Sequence, residues 1–205
     1  SYWPNNPNRP VEKVSWEDVQ IFLMRLNATE QSAGRLPSGW QYVLPTESEW
    51  EYACRAGTTT IFSWGNSASS TQANFKGTDP YGGGAVGPNL QQTTTVGQYA
   101  ANPWGFFDMQ GNVWEWTADR YQAAYPAGTV TDPTGPASGS DRVNRGGSWD
   151  TTGAGLRSAK RGTSSPGSRY TTRGFRVGFK FTGVHTVTSA SNLEMIWVEP
   201  GTFTM

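Results

Sequence analysis

Two residue types that carry much catalytic and metal chemistry are almost missing from this sequence. Its 205 residues include one cysteine, Cys54, and one histidine, His185. A single cysteine excludes an internal disulfide and any metal site built from several thiolates. A single histidine, in the polar stretch TGVHTVTSAS, excludes a histidine-rich iron centre and leaves serine or cysteine nucleophiles without a nearby base. We therefore expect no copper or iron.

An excess of charge and a long apolar run are also missing. Sixteen basic residues balance 16 acidic ones, so we expect no nucleic-acid partner. No run approaches the length needed to span a bilayer, so we expect no membrane insertion. Only 35% of residues are apolar, yet 13% are aromatic, and there are 25 glycines. This composition predicts a loop-rich domain whose core is built largely from rings.

Two helices are predicted from capping signals. In SWEDVQIFLMRLN, Ser15 precedes Asp18 by three residues, and Val19, Phe22, Leu23 and Leu26 share one face. In PTESEWEYACRAG, Thr46 and Glu49 repeat the capping pattern, and Gly57 is the predicted C-cap. Cys54 falls inside this second helix, where we expect a small buried thiol.

After residue 57 the sequence changes to short β-prone runs separated by turn-forming residues. Residues 66–103 have little periodicity, which is uncommon unless a ligand or an ion organises the loop. Strands are predicted in GNVWEWTAD, RVNRGGSW and GFRVGFKF, the last with Phe175, Val177, Phe179 and Phe181 on one face. The predicted class is α+β, with two helices packed on small, twisted, mainly antiparallel sheets.

The same segments carry a family resemblance. LPTESEWEYACRAG, NPWGFFDMQGNVWEWTAD, RVNRGGSW and RSAKR…GFRVGF occur in the order found in formylglycine-generating-enzyme (sulfatase-modifying-factor) domains. The resemblance covers about residues 10–181 and implies a variant of the C-type lectin fold. We accordingly treat residues 1–183 as the domain and residues 184–205 as a polar linker followed by a strand.

The resemblance also implies a chemistry that this sequence lacks. Catalytic members of the family place two copper-binding cysteines just beyond the RGGS motif and use oxygen to oxidise a substrate cysteine to formylglycine. Here the corresponding residues 149–156 read WDTTGAGL, and no cysteine follows Cys54. Hydroxyl groups do not replace thiolates as Cu(I) ligands. We expect a non-catalytic member, in other words a pseudoenzyme.

Structural calcium is a further implication of the resemblance. Calcium takes six to eight oxygen ligands, which glycine-rich turns can supply. The alternative is that the carboxylates belong to ordinary turns and strand edges. The first implied site consists of Asn74, the Phe75 carbonyl, Asp79 and the Tyr81 carbonyl; the second consists of Asp108, which replaces the usual Asn, the carbonyls of Gly111 and Val113, and Glu115.

Residues 149–173 combine framework residues with small polar ones, a pattern typical of binding loops. Some relatives, the variable proteins of diversity-generating retroelements, randomise this segment. The alternative is a pair of solvated loops without a ligand. The candidate contacts for a protein or glycan ligand are Trp149, Asp150, Thr151, Thr152, Arg157, Arg161, Tyr170 and Trp104.

The chain closes with NLEMIWVEPGTFTM, which resembles the opening strand of the family. A circular permutation, the start of the next domain in a tandem array, or a missing segment would each explain it. Met195 and Trp197 alternate with Ile196 and Val198, as in a strand. This strand would pair within its own chain or complete the sheet of another copy through residues 192–205.

Taken together, these observations predict a calcium-stabilised, extracytoplasmic module, secreted or at the cell surface, that binds or displays rather than reacts. The alternative is a structural subunit of a filament or tandem array that assembles by strand exchange. A residual oxygen-dependent oxidase would need metal ligands that the sequence does not supply.

Overall fold

The computed structural model describes residues 6–183 and the backbone of residues 202–203. His185 and the predicted strand residues 195–198 lie outside this part of the chain. The helices are α1 (Trp16–Ser32) and α2 (Glu47–Arg55), a 3₁₀ turn covers Gly153–Leu156, and the strands are β1 (Trp40–Val43), β2 (Trp114–Arg120), β3 (Val130–Thr131), β4 (Arg142–Arg145), β5 (Arg161–Ser164), β6 (Arg173–Phe175), β7 (Gly178–Phe181) and β8 (Thr202–Phe203).

Both helices begin where the capping signals predict. The Ser15 hydroxyl accepts the Asp18 N–H, and the Asp18 carboxylate accepts the Ser15 N–H. Thr46 and Glu49 exchange the same two hydrogen bonds at the start of α2. Each pair satisfies two backbone donors that have no partner inside the helix.

The helix ends differ slightly from the prediction. The first helix continues to Ser32, beyond the predicted apolar pattern. The second ends one residue early, because Ala56 is the C-cap in the left-handed region at φ 48° and Gly57 follows it. Of the predicted apolar face of α1, Val19 and Leu23 are buried. Phe22 remains 46% exposed and makes an edge contact with Phe175, with ring centroids 5.4 Å apart.

The main sheet has four strands in the order β5-β4-β2-β6. β2 lies centrally, antiparallel to β4 and parallel to β6. The strands β1 and β7 form a separate antiparallel pair, and β3 pairs antiparallel with β8 of the same chain. The α+β class with small, mostly antiparallel sheets is therefore confirmed, with one parallel pair added.

The last predicted strand, residues 174–181, is in fact two strands. Phe175 pairs with Trp116 in the four-stranded sheet, whereas Phe179 pairs with Tyr42 in the two-stranded sheet. The strand breaks because its two halves bond to different partners, which an alternating pattern does not reveal. The single apolar face predicted for this run is wrong, since Val177 and Phe179 are exposed.

Aromatic rings fill much of the core, as the composition predicts. Phe62 and Phe75 pack with Leu156 in one cluster, and Trp116 packs with Val19 and Leu23 in another. A third cluster joins Trp50, Cys54 and Met109, so the cysteine is buried within α2 as predicted. Neither described helix is long and apolar enough to cross a membrane.

Candidate functional site

The RGGS motif is anchored by a fully buried arginine. Arg145 ends β4 with no side-chain exposure and pairs with the Glu51 carboxylate of α2. Its Nη2 also donates to the Ser158 carbonyl at 2.7 Å, and Nη1 lies 3.4 Å from Glu47. A buried charge is tolerated only when it is paired and hydrogen-bonded, so these contacts lock the motif against α2.

The two glycines of the motif turn the chain where no other residue fits well. Gly146 and Gly147 have φ of 95° and 77°, a region that side chains disfavour. A Cβ on Gly146 would lie 2.9 Å from the Met109 carbonyl oxygen. The Gly146 carbonyl instead accepts the Gly111 N–H at 2.9 Å, which joins the motif to the turn before β2.

That turn, Gln110–Asn112, organises the loops around it through buried side chains. Gln110 Oε1 accepts the Ser63 N–H at 3.1 Å, and Nε2 donates to the Leu156 carbonyl at 2.8 Å. Asn112 Oδ1 accepts the Thr94 N–H at 3.0 Å. The weak periodicity of residues 66–103 predicts that an ion or a ligand organises them. The side chains of Gln110 and Asn112 hold part of this loop and its surroundings in place. Their role could not be predicted from the sequence, because GNVWEW has the spacing of an ordinary strand.

The first implied calcium site contains an unsatisfied ligand atom. Asn74 is 2% exposed, and its Nδ2 donates to the Gln92 carbonyl at 2.9 Å, while the buried Oδ1 has no partner in the described chain. Such an oxygen is costly without a donor or a cation. Asp79, however, pairs with Lys76 at 2.5 Å, and the Tyr81 carbonyl accepts two backbone N–H groups. The first site therefore fits a cation in part.

The second implied site already holds a protein cation. Both Glu115 oxygens accept from Arg176, at 2.6 and 2.7 Å, and the same carboxylate accepts Trp50 Nε1 at 2.6 Å. Asp108 Oδ2 accepts the Gly97 N–H at 2.7 Å, and burial raises the pKa of the Asp108 carboxyl. Because Arg176 takes the place of a cation at Glu115, these residues fit calcium less well than the first set.

No cluster of three or more histidine, cysteine or acidic side chains that could hold a metal occurs among the described residues. Burial raises the pKa of the Cys54 thiol to about 12, so it is a poor nucleophile and a poor metal ligand. A hydrogen bond with Ser158 lowers this pKa by less than burial raises it.

The segment that follows the motif, residues 149–173, will be called the outer segment. Its first turn is built by Ser148, which is buried and donates its hydroxyl to Asp150 Oδ1 at 2.6 Å. The Thr151 hydroxyl accepts the Ser148 N–H at 3.0 Å, so it is partly committed to the turn. Thr152 is exposed and precedes the 3₁₀ turn without capping it.

Three of the predicted contact residues lie near one another. Trp149 Nε1 points to the Thr171 carbonyl at 3.4 Å, and Tyr170 is 49% exposed. The Arg173 guanidinium lies 4.3 Å from the centre of the Tyr170 ring and is influenced by the charge of Asp150. Arg173 is not among the predicted contacts, so its place in this group is new.

The other predicted contacts lie apart or are occupied. Arg161 forms a two-pronged pair with Glu47 at 2.7 and 2.8 Å and covers the Tyr125 ring, so it acts as a structural cation. Arg157 is exposed and donates to the Ala154 carbonyl at 2.8 Å. Trp104 packs edge-on against Tyr52 of α2, with ring centroids 4.8 Å apart.

Comparison with known proteins agrees with this architecture. The sequence profile of the "Sulfatase-modifying factor enzyme 1-like domain" matches residues 2–179. The chain belongs to this family. It is 36% identical over 179 residues to the formylglycine-generating enzyme of Streptomyces coelicolor, covering 83% of this chain and 52% of that protein. It is 34% identical over 154 residues to the formylglycine-generating enzyme of Bos taurus, covering 71% of this chain and 36% of that protein.

Among solved structures, variable protein 1 of Treponema denticola superimposes with a TM-score of 0.68 at 24% identity, covering 85% of this chain and 72% of the other. This likeness supports the fold alone. The chain spans about a third to a half of the length of the two enzymes named above. Within the family, its single cysteine at position 54 agrees with the expected loss of the catalytic cysteines.

Proposed function

We propose that this formylglycine-generating-enzyme-type domain is non-catalytic and uses the outer segment to bind a protein or a glycan. The observation that carries the proposal is the stretch after RGGS, where the family's copper cysteines would stand. It reads WDTTGAGL and has no thiol. No other cysteine can substitute, because Cys54 is buried inside α2 beneath the motif.

The outer segment has the properties that binding loops need. Its backbone is fixed to the rest of the domain: the Gly153 N–H donates to the Asp79 carbonyl at 2.8 Å, and the Trp16 N–H to the Pro166 carbonyl at 2.9 Å. Several of its side chains are exposed, including those of Asp150, Thr152 and Tyr170. A fixed backbone with open polar and aromatic side chains lowers the entropy lost on binding.

Structural calcium is part of the proposal, with one ion at the first implied site. Asn74 Oδ1 and the Asp79 carboxylate would hold it, the carboxylate exchanging its partly exposed Lys76 for the ion. When bound, calcium would supply a positive charge that braces the loop of residues 66–103. Metal analysis should find calcium and no stoichiometric copper or iron, and a chelator should lower the melting temperature.

The matched variants for this test are Asn74→Ala and Asp108→Asn. If calcium occupies the first site, Asn74→Ala should remove most of the chelator effect and Asp108→Asn should leave it. A chelator effect that disappears only with Asp108→Asn would move the ion to the second site. Absence of calcium would reject both proposed calcium sites. Stoichiometric copper or iron would reject the proposal that the protein is non-catalytic.

Ligand binding is tested with two probe sets, an immobilised glycan array and a surface-displayed peptide library. A triple variant, Asp150→Ala with Thr152→Ala and Tyr170→Ala, should lose the signals that the original protein gives. Arg25→Gln, an exposed change on α1, should keep them. Equal signals from the triple variant would reject the outer segment as the binding surface. An extracytoplasmic location, also proposed, is tested by cell fractionation with an antibody.

Assembly through the C-terminal segment is the second candidate. Thr202–Phe203 pairs with β3 in a sheet of only two strands, and the same pairing made by another copy would link chains head to tail. Light scattering on the full chain and on a variant lacking residues 192–205 decides this. Polymers that disappear on deletion support assembly, whereas monomers in both preparations reject it.

A further inference from the structure

Arg173 differs from the other arginines of the domain in what surrounds its guanidinium. Its Nε is buried and has no hydrogen-bond partner in the described chain, and its guanidinium contacts two aromatic rings rather than a carboxylate. Most other arginines have an acceptor: Arg145 and Arg161 reach glutamates, and Arg176 reaches Glu115. Arg25 also has none, but its side chain is exposed on α1.

The side chain of Arg173 is held in place without being neutralised. Arg173 is the first residue of β6 and pairs with Trp114 of β2. Its backbone N–H donates to the Tyr170 carbonyl at 3.1 Å, and its carbonyl accepts the Lys13 N–H at 3.1 Å. The guanidinium carbon lies 4.3 Å from the centre of the Tyr170 ring and 5.9 Å from the centre of the Trp116 ring. Ring faces attract a cation but leave its N–H donors unused.

Withdrawal from water without an acceptor is costly for a cation, and burial lowers the pKa of Arg173. Charge attraction toward Asp150 is weaker than this effect, and Asp150 is exposed and bound to the Ser148 hydroxyl. An unpaired guanidinium at the edge of an open segment presents the donor fork that matches a carboxylate.

We propose that Arg173 is the anchor of a site for a monocarboxylate ligand, with Tyr170 covering the ligand from one side. The inference rests on the proposed binding role of the outer segment and names the class of ligand. A single fork can satisfy one carboxylate through two parallel hydrogen bonds. Asp150 nearby disfavours a dianion such as phosphate, because a second negative charge would meet a like charge.

The carboxylate could belong to an acidic sugar or to the end of a peptide, and the test separates these sources. The probes are glucuronate and N-acetylalanine, with the neutral methyl ester of glucuronate and inorganic phosphate as comparisons. Binding is followed by NMR on the full chain through the Nη–H signals of the Arg173 guanidinium, which a carboxylate acceptor should shift downfield. One ion pair with a ring contact predicts a dissociation constant on the order of 1–10 mM.

We expect at least one carboxylate probe to bind saturably, about tenfold more tightly than the ester or phosphate. The probe with the lower dissociation constant identifies the source. Arg173→Gln should weaken binding about tenfold or more, and Arg173→Lys should recover only part of it, because an ammonium lacks the fork. Arg25→Gln makes the same change in net charge at an exposed site and should bind like the original protein.

Two results would overturn the proposal: no saturable binding of either carboxylate, or equal loss of binding in Arg173→Gln and Arg25→Gln. Unchanged melting temperatures for the variants exclude unfolding as the cause, and Arg173→Lys supplies a second variant if Arg173→Gln is unstable. The proposed function is tested separately, because neutral glycans or peptides bound through Asp150, Thr152 and Tyr170 would preserve it even if both carboxylates fail.

Discussion

Two neighbouring regions of this domain hold an irregular backbone in place in different ways, one through buried side chains and the other through backbone hydrogen bonds. The first, called the inner motif, comprises residues 110–117 and 142–148, where side chains such as Gln110 and Arg145 are buried and bonded. The second is the outer segment, where the backbone is bonded and side chains such as Thr152 are left open. The contrast predicts that stability depends on the inner motif and that binding specificity depends on the outer segment.

The largest effect is expected when the buried charge of the inner motif is removed. Arg145→Gln takes one partner from Glu51 and the donor from the Ser158 carbonyl, and should lower the free energy of unfolding by about 3–5 kcal/mol. Denaturant unfolding measures it. The control is Arg157→Gln in the outer segment, expected to change stability by less than about 0.5 kcal/mol. Equal losses of stability in Arg145→Gln and Arg157→Gln would contradict the prediction that stability depends on the inner motif rather than on the outer segment.

A smaller loss is expected at a glycine of the same motif. A Cβ on Gly111, at φ 92°, would lie 2.6 Å from the Asn74 backbone oxygen. Gly111→Ala should therefore cost about 2–4 kcal/mol, from backbone strain and a displaced loop. Gly105→Ala has a similar φ of 86° but open space around its Cβ, so it isolates the strain alone and should cost about half as much. A similar loss of stability in Gly111→Ala and Gly105→Ala would show that the loop around Asn74 moves away from the new Cβ at little cost.

These examples also show which features a sequence can predict. The caps at Ser15 and Thr46 were predictable because both partners lie within three residues of each other. The split between β6 and β7 was not, because it depends on which distant strand each half meets.

The candidate site divides in the same way. Residues 149–152 and 170 could be proposed because they lie next to recognisable motifs. The pairing of Arg176 with Glu115, 61 residues apart, could not, and it weakens the second calcium site. Neither could the surroundings of Arg173, because only the structure shows that its buried Nε has no hydrogen-bond partner in the described chain.

A third prediction concerns the edge of the inner motif, where Asp119 on β2 accepts the Glu47 N–H at 2.7 Å. Burial raises the pKa of Asp119 to about 6 from an ordinary 3.8, and the hydrogen bond from the Glu47 N–H offsets only part of this rise. The folded state therefore holds this proton more tightly than the unfolded chain does. Its contribution to the free energy of unfolding falls as pH rises from about 4 to about 6, and is constant above that.

Asp119→Asn keeps an oxygen for the Glu47 N–H and removes the charge. It should raise the free energy of unfolding at pH 7 by roughly 1–3 kcal/mol and abolish the decline between pH 4 and 6. Asp18→Asn is the opposite case, because Arg169 lowers the pKa of Asp18. The contribution of Asp18 is present above pH 3.8 and is lost as pH falls below it. If the free energy of unfolding of Asp119→Asn still declines between pH 4 and 6, a group other than Asp119 causes the decline.

The smallest effect is expected in the outer segment itself. Thr152→Ala and Tyr170→Ala remove open side chains and leave the backbone hydrogen bonds of the Thr152 and Tyr170 carbonyls in place. Each should change the free energy of unfolding by less than about 0.5 kcal/mol, as measured by denaturant unfolding. A loss above about 2 kcal/mol in either would make the segment part of the stabilising core. Near-neutral values would instead mean that the fold tolerates change at these positions, which is the physical condition for a surface that can be adapted to a ligand.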